Sequence, residues 1–489
     1  IIIISKSMIK FNWRWIIMDI HELEKKLTIQ KKSVWSKRDI DSIEGYTSKY
    51  KKFIDYSKTE RLAVKYSIKL LEDNGFKPLS YYEGIGKIDL GDKIYFVNRE
   101  KSLFAIKYNH SMKNGINLVG AHIDSPRFDF KPEPLIEDEN IAMAKTHYYG
   151  GVKKYHWFNI PLELHGVVVK SDGTKVEVSI GDDENDPIFV ISDLLPHLDK
   201  ELPNKKVSEA FDPEKMNLIL GTISITYEND KKVNNPVKLN VLKILFEKYG
   251  IIEEDLVSAE LEVVPALKAR DVGLDRSLMA SYGHDDRVCA YTALTGLIDS
   301  SSSLKNPAVL LVDKEEIGSD GNTGAKNHFW VNVIRKIMHL AKEEKVCSII
   351  DDVISNSALL SADVSAAVDP NYKEAHDLSN APRLGYGITL MKYTGSGGKS
   401  RTNDANAELL AKVRNLFNKE DISWQVGELG KVDRGGGGTI ALFFAEKGLD
   451  VLDAGVPLLG MHSPYEIASK ADIYETYLAY KTFFEKFGK

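Results

Sequence analysis

Cysteine is scarce: Cys289 and Cys347 are the two such residues in a chain of 489. With at most one pair and no CxxC spacing, neither a disulfide framework nor a thiolate metal site can organise the fold. Both thiols read as small buried hydrophobes, and their rarity fits a reducing, cytoplasmic setting. No apolar run reaches the ~18 residues of a membrane helix, so no membrane partner is expected. Charge of one sign is also lacking. Lys and Arg total 65 against 71 Asp and Glu, and the cations are dispersed along the chain. The formal net charge of −6 leaves no phosphate-backbone footprint, so nucleic acid is not an expected partner either.

What is present is an ordinary globular balance, 43% hydrophobic and 28% charged, long enough for more than one domain. Residues 1–17 are apolar but broken by Ser5, Lys6 and Ser7. They read as a non-native or disordered leader, with Met18 as the expected native start. From 18 to 76 the pattern is helical: Leu62, Tyr66 and Leu70 repeat at four-residue spacing, and Gly75 supplies a stop. Ser57 and Glu60 are expected to form a capping box ahead of that helix.

Strand-like runs follow at 94–97, 103–106 and 116–121, the last ending directly on His122. Residues 131–275 change texture, with Pro and Gly punctuating short β-rich runs such as 162–169 and one helical run at 241–249. After about 280, strand and helix patterns alternate again: helices at 288–298 and 331–340, strands at 307–312 and 358–362. The expected fold is α/β, a mainly parallel central sheet with helices on both faces, interrupted by an inserted β-rich domain. The expected division is 18–130 and 276–489 for the main domain, with 131–275 inserted.

Five polar clusters abut apolar runs: His122 with Asp124, Asp285-Asp286, Glu315-Glu316, Asp363, and His462. Taken singly, each is a satisfied histidine, a solvated acidic face or a helix N-terminal charge. Together they match the needs of a two-metal hydrolytic site. Two cations ~3.5–4 Å apart repel, so one carboxylate must bridge them and others must balance the charge. Imidazoles suit zinc and leave positions open for water and substrate. A further carboxylate, unligated, must take a proton from the water. In a strand, His122 and Asp124 point the same way, so Asp124 can hold one imidazole nitrogen. Glu315 and Glu316 diverge, so one can ligate while the other faces the water. Ser463-Pro464-Tyr465-Glu466 reads as a second capping box, placing His462 just before a helix. The glycines at 435–438 lack the GxxxxGK[ST] context of a phosphate loop and read as close packing.

The segment Gly120-Ala121-His122-Ile123-Asp124-Ser125-Pro126 resembles the GAHxDSP signature of the aspartyl aminopeptidase and vacuolar aminopeptidase I family. Gly283 to Arg287, Asp313 to Ser319, Ser361 to Val364, Asp369 to Tyr372 and Met461 to Ser463 follow in that family's order. The resemblance runs from about Trp35 to Ile473. It implies a dinuclear aminopeptidase that removes acidic or neutral N-terminal residues from peptides and carries two divalent ions, zinc foremost. His122 and Asp363 would serve one metal, Glu316 and His462 the other, with Asp285 bridging. Glu315 would be the general base and Asp124 would orient His122. His197 is the match to a family histidine that reaches the site from a neighbouring subunit, and Lys392 is a candidate substrate contact. The family also implies a homo-oligomer, typically a dodecamer. Other readings are a non-catalytic scaffold or cargo protein of the same fold, and a deacylase of the same architecture.

Overall fold

A computed structural model describes residues 19–488 except 227–232, 302 and 345, and the side chains of Cys347 and Ser348 are also not described. The expected leader 1–17 and the Cys347 side chain thus lie outside the described residues; Cys289 is buried.

Nine strands form the central sheet: β1 (Lys77–Pro78), β2 (Asp92–Asn98), β3 (Ser102–Tyr108), β4 (Ile116–His122), β5 (Asn306–Val312), β6 (Ala358–Ser361), β7 (Ile388–Met391), β8 (Trp424–Val426) and β9 (Asp450–Gly455). Their spatial order is β1-β2-β3-β5-β4-β6-β9-β7-β8. The centre, β5-β4-β6-β9, is parallel throughout, while β3 against β5 and β7 against β9 run antiparallel. The sheet is therefore mixed, with a parallel middle.

Near-continuous apolar runs fit a sheet covered on both faces. Along β5, Val309 and Leu311 pack on one side into a core with Val288 and Leu294 of helix α1 (His284–Asp299) and Tyr480 and Phe483 of helix α2 (Lys470–Lys486). Ala308, Leu310 and Val312 point the other way, onto Trp330, Ile334 and Ile337 of the helix Phe329–Leu340. β4 alternates likewise, Val119 on the first face and Leu118 on the second. Each such Leu or Val contributes roughly 1.5–3 kcal/mol by leaving water.

One expected cap shifts by two residues. Thr59, not Ser57, accepts the Leu62 N–H at 3.3 Å and starts the helix Glu60–Asp73. Ser57 instead closes the preceding helix, Ile40–Tyr56. Glu60 turns inward toward Arg127, 3.4 Å away, because a buried cation holds a carboxylate more firmly than a cap would.

Between 127 and 265 the chain builds a separate six-stranded antiparallel sheet. Its order is Lys175–Ile180, Leu162–Val169, Ala259–Pro265, Arg127–Asp138, Ile141–Tyr149, Leu218–Gly221. It has its own core around Phe128, Trp157, Leu164 and Val263. A third sheet joins Leu278–Ser281 to Glu466–Ser469 and Pro457–Leu459, and the last two strands flank the turn carrying His462. Among the described residues, no helix is long and apolar enough to cross a membrane.

Candidate metal centre

Three adjacent parallel strands deliver polar groups at their carboxyl ends, where open α/β sheets place their sites. β4 ends on His122. β5 leads through Lys314, in a left-handed conformation, into the short turn Glu315–Ile317. β6 is followed by Asp363. Since β5 and β6 flank β4, their ends converge. Asp285 and Asp286 lie where α1 begins, with backbone angles of −77°/107° and −118°/25°. Regular helix starts only after them.

His462 sits in a left-handed turn, φ 65°, and the second expected capping box is not a helix cap. Residues 466–469 form a strand, and α2 starts at Lys470. Glu466 does reach back, but to tie its own turn to the start of α1: its buried carboxylate accepts the His462 N–H at 2.7 Å and the Asp285 N–H at 2.9 Å. One nearby and one distant backbone donor outcompete a helix cap.

The expected ligands meet. One oxygen of Asp285 lies 3.1 Å from His122 Nε2 and the other 3.2 Å from His462 Nε2. Glu316 Oε1 is 3.4 Å from His462 Nε2, and Glu315 Oε2 is 4.0 Å from His122 Nε2. His122 Nδ1 lies 3.0 Å from the Asp124 carbonyl oxygen and 3.4 Å from its carboxylate. That carboxylate also accepts the Glu315 and Glu316 N–H groups at 3.1 and 3.2 Å. Two sets have donor atoms mutually within 4.8 Å: His122, Asp285 and Glu316; and His122, Asp286 and Asp363.

Electrostatics show how the protein meets a cation. Burial would lower the His122 pKa, but Asp124 and Asp285 hold it well above the usual imidazole range. Burial works the same way on His462, and Asp285 with Glu316 lifts it to about 10. Burial pushes Glu315 up to about 7, with His122 opposing. Glu316 and Asp363 are raised well above ordinary carboxylates, by burial first and then by Asp285 among their neighbours. Asp285 raises Glu316 and Asp363 alike, so these acids repel one another. Among the described residues, Glu316 Oε1 and Asp286 Oδ1 are buried and accept no hydrogen bond. Divalent cations would satisfy both deficits, so the donor set fits them.

The centre opens into a cavity of about 830 Å³ lined by all six acid and imidazole positions expected around the metals, together with Met391, Leu429, Arg401 and Phe443. Gly436 to Gly438 line it too, and a Cβ on Gly436 would fall 2.1 Å from the Gly395 carbonyl oxygen, which is close packing. Lys392 is not among the lining residues and pairs with Asp404 at 2.7 Å. His197 is exposed and also outside the lining. The sequence alone assigns no site role to Asp286 or Tyr149, and it casts Glu466 as a helix cap only. Tyr149 donates to Asp124 at 2.8 Å. Asp286 is adjacent to an expected ligand and Glu466 lies four residues from His462, which are the local signals; Tyr149 has none.

Imidazoles and carboxylates gathered at the carboxyl edge of a parallel sheet, with one more carboxylate beside them, define a metal-dependent hydrolase site. The family model described as Aminopeptidase I zinc metalloprotease (M18) matches residues 53–484, and the chain belongs to that family of metalloaminopeptidases. It is 54% identical over 460 residues to a probable M18 family aminopeptidase 1 of Thermotoga maritima, covering 94% of this chain and all of that one. The crystal structure of an M18-family aminopeptidase from Thermotoga maritima superposes with a TM-score of 0.90 at 53% identity, over 94% of this chain and 100% of that chain. The S. cerevisiae mApe1 dodecamer shares the fold at a TM-score of 0.72 and 21% identity, over 91% of this chain and 99% of that chain.

Proposed function

We propose that the chain releases acidic or neutral residues from peptide N-termini, using two divalent ions, zinc foremost, and Glu315 as the acid–base. The observation carrying this reading is Asp285, whose two oxygens face two imidazoles from separate segments while Glu315 stands beside them. In this reading His122 and Asp363 would hold one cation and Glu316 and His462 the other, with Asp285 shared between them. Asp286 shares the first set. Bound cations would supply Lewis acidity, polarising the scissile carbonyl and making water a stronger nucleophile. Glu315 takes the proton of the attacking water and returns it to the departing amine. Asp124 fixes the His122 ring.

The 131–275 block acts as an inserted unit whose exposed Leu194, Leu195, Leu198, Val207 and Ile223 suit burial against further copies. An assembly like that of the S. cerevisiae protein would bring His197 to a neighbour's cavity. A cytoplasmic setting rests on cysteine usage. Lys392 must leave Asp404 to touch substrate, so Lys392→Ala should slow acidic substrates selectively.

A panel of aminoacyl chromogenic substrates with chelator and metal add-back tests the reading. Glu315→Gln should keep its metal yet lose turnover by about 10²–10⁴-fold. Unchanged turnover in that variant removes Glu315 from the chemistry.

A further inference from the structure

We propose that Tyr149, Gly150 and Gly151, where the strand Ile141–Tyr149 leaves the six-stranded sheet, form a strap that positions both imidazoles of the metal centre. The proposal rests on the metal-centre reading above and concerns residues that do not themselves ligate.

Three consecutive residues each meet a different part of the centre. The Tyr149 hydroxyl donates to Asp124 Oδ2 at 2.8 Å, and Asp124 Oδ1 lies 3.4 Å from His122 Nδ1. The Arg127 guanidinium covers the tyrosine ring, 3.9 Å from its centroid, and fixes its place. Gly150, at φ +71°, passes Glu316 so closely that a Cβ would lie 3.2 Å from its Cβ and 3.3 Å from Oε2. The Gly151 carbonyl oxygen lies 3.0 Å from His462 Nδ1. A carbonyl only accepts, so in the neutral ring Nδ1 carries the hydrogen and the Nε2 lone pair faces Asp285 and Glu316. A Cβ on Gly151 would fall 2.9 Å from that same Nδ1 and turn the ring away.

The strap therefore serves the two imidazoles differently. His122 is reached through Asp124, whose carboxylate keeps two backbone donors if Tyr149 is lost. His462 is reached directly. A partner that orients a metal-binding imidazole typically changes metal affinity or activity by about 10- to 100-fold.

The test uses the full-length metal-loaded enzyme with Tyr149→Phe, Gly151→Ala, the exposed neighbour Tyr148→Phe, and the ligand variants Glu316→Gln and His462→Ala. Zinc retained per chain is measured after dialysis against graded chelator, beside kcat, KM and melting temperature. Tyr149→Phe should release metal at about 10-fold lower chelator and Gly151→Ala at about 100-fold lower, with one ion leaving first in the latter. kcat should fall in step while KM stays within about two-fold, and Tyr148→Phe should match the parent. Tyr149→Phe adds no atom, so it carries the test if Gly151→Ala does not fold. Strap variants that hold metal as the parent does, while the ligand variants lose it, overturn the strap and leave the metal centre standing. Ligand variants that also keep their metal overturn both.

Discussion

The two halves of the metal centre are built in different ways. His122, Glu315, Glu316 and Asp363 follow adjacent parallel strands, and His122 is 1% exposed with a companion two residues on. His462 comes from a left-handed turn, its side chain is 36% exposed, and its partners Gly151 and Glu466 come from two other strands or their ends. Rigid packing sets the strand half, whereas hydrogen bonds between distant segments set the turn half. The same ligand type can thus rest on very different supports.

Removing one imidazole from each half should break the symmetry most strongly. His122 belongs to both donor sets, so His122→Ala should release the cation it would share with Asp363, weaken hold on the second as well, and abolish turnover. His462→Ala should keep one ion per chain by elemental analysis. Equal metal loss in the two variants would contradict the comparison. Leu310→Ala, beneath the strand half, should cost about 3 kcal/mol in denaturant unfolding, with metal retention unchanged. Glu466→Gln should do the reverse. It loses one acceptor for a buried N–H, costing about 1–2 kcal/mol, but loosens the turn and lowers metal retention.

The smallest expected effect concerns pH and lies at the far end of the strands. Burial, with help from Lys93, lowers the Lys107 ammonium from 10.5 to about 8. The unfolded chain then binds more protons between those values, so this residue's contribution to stability rises as pH climbs from 8 to 10.5. Lys107→Met should flatten that slope in melting-temperature profiles while leaving metal content alone.

The strand half was also the legible half. Runs such as 116–121 and 307–312, buried on both faces, carry their own signal, and the acids that end them were read as a site. The helix expected just after His462 starts later, at Lys470, and its bounds are hard to read because it buries Lys470, Asp472, Glu475 and Thr476 beside Ile473, Ala479 and Phe483 and shows no clean apolar stripe. The two misplaced caps share a cause. Ser57 and Glu466 match a local motif, but a preceding helix end claims the first, and the His462 and distant Asp285 N–H groups claim the second.

Periodicity and residue type determined, without further help, the alternating strands and helices, the change of texture after 130, and the supply of imidazoles and carboxylates. Those depend on neighbours in the chain. Only tertiary structure decided which oxygens of Asp285 face which histidine, that Asp286 joins His122 and Asp363, and that Tyr149 and Gly151 stand behind the rings. Such contacts join segments more than a hundred residues apart, or across separate sheets, and no local pattern encodes where a fold will bring them.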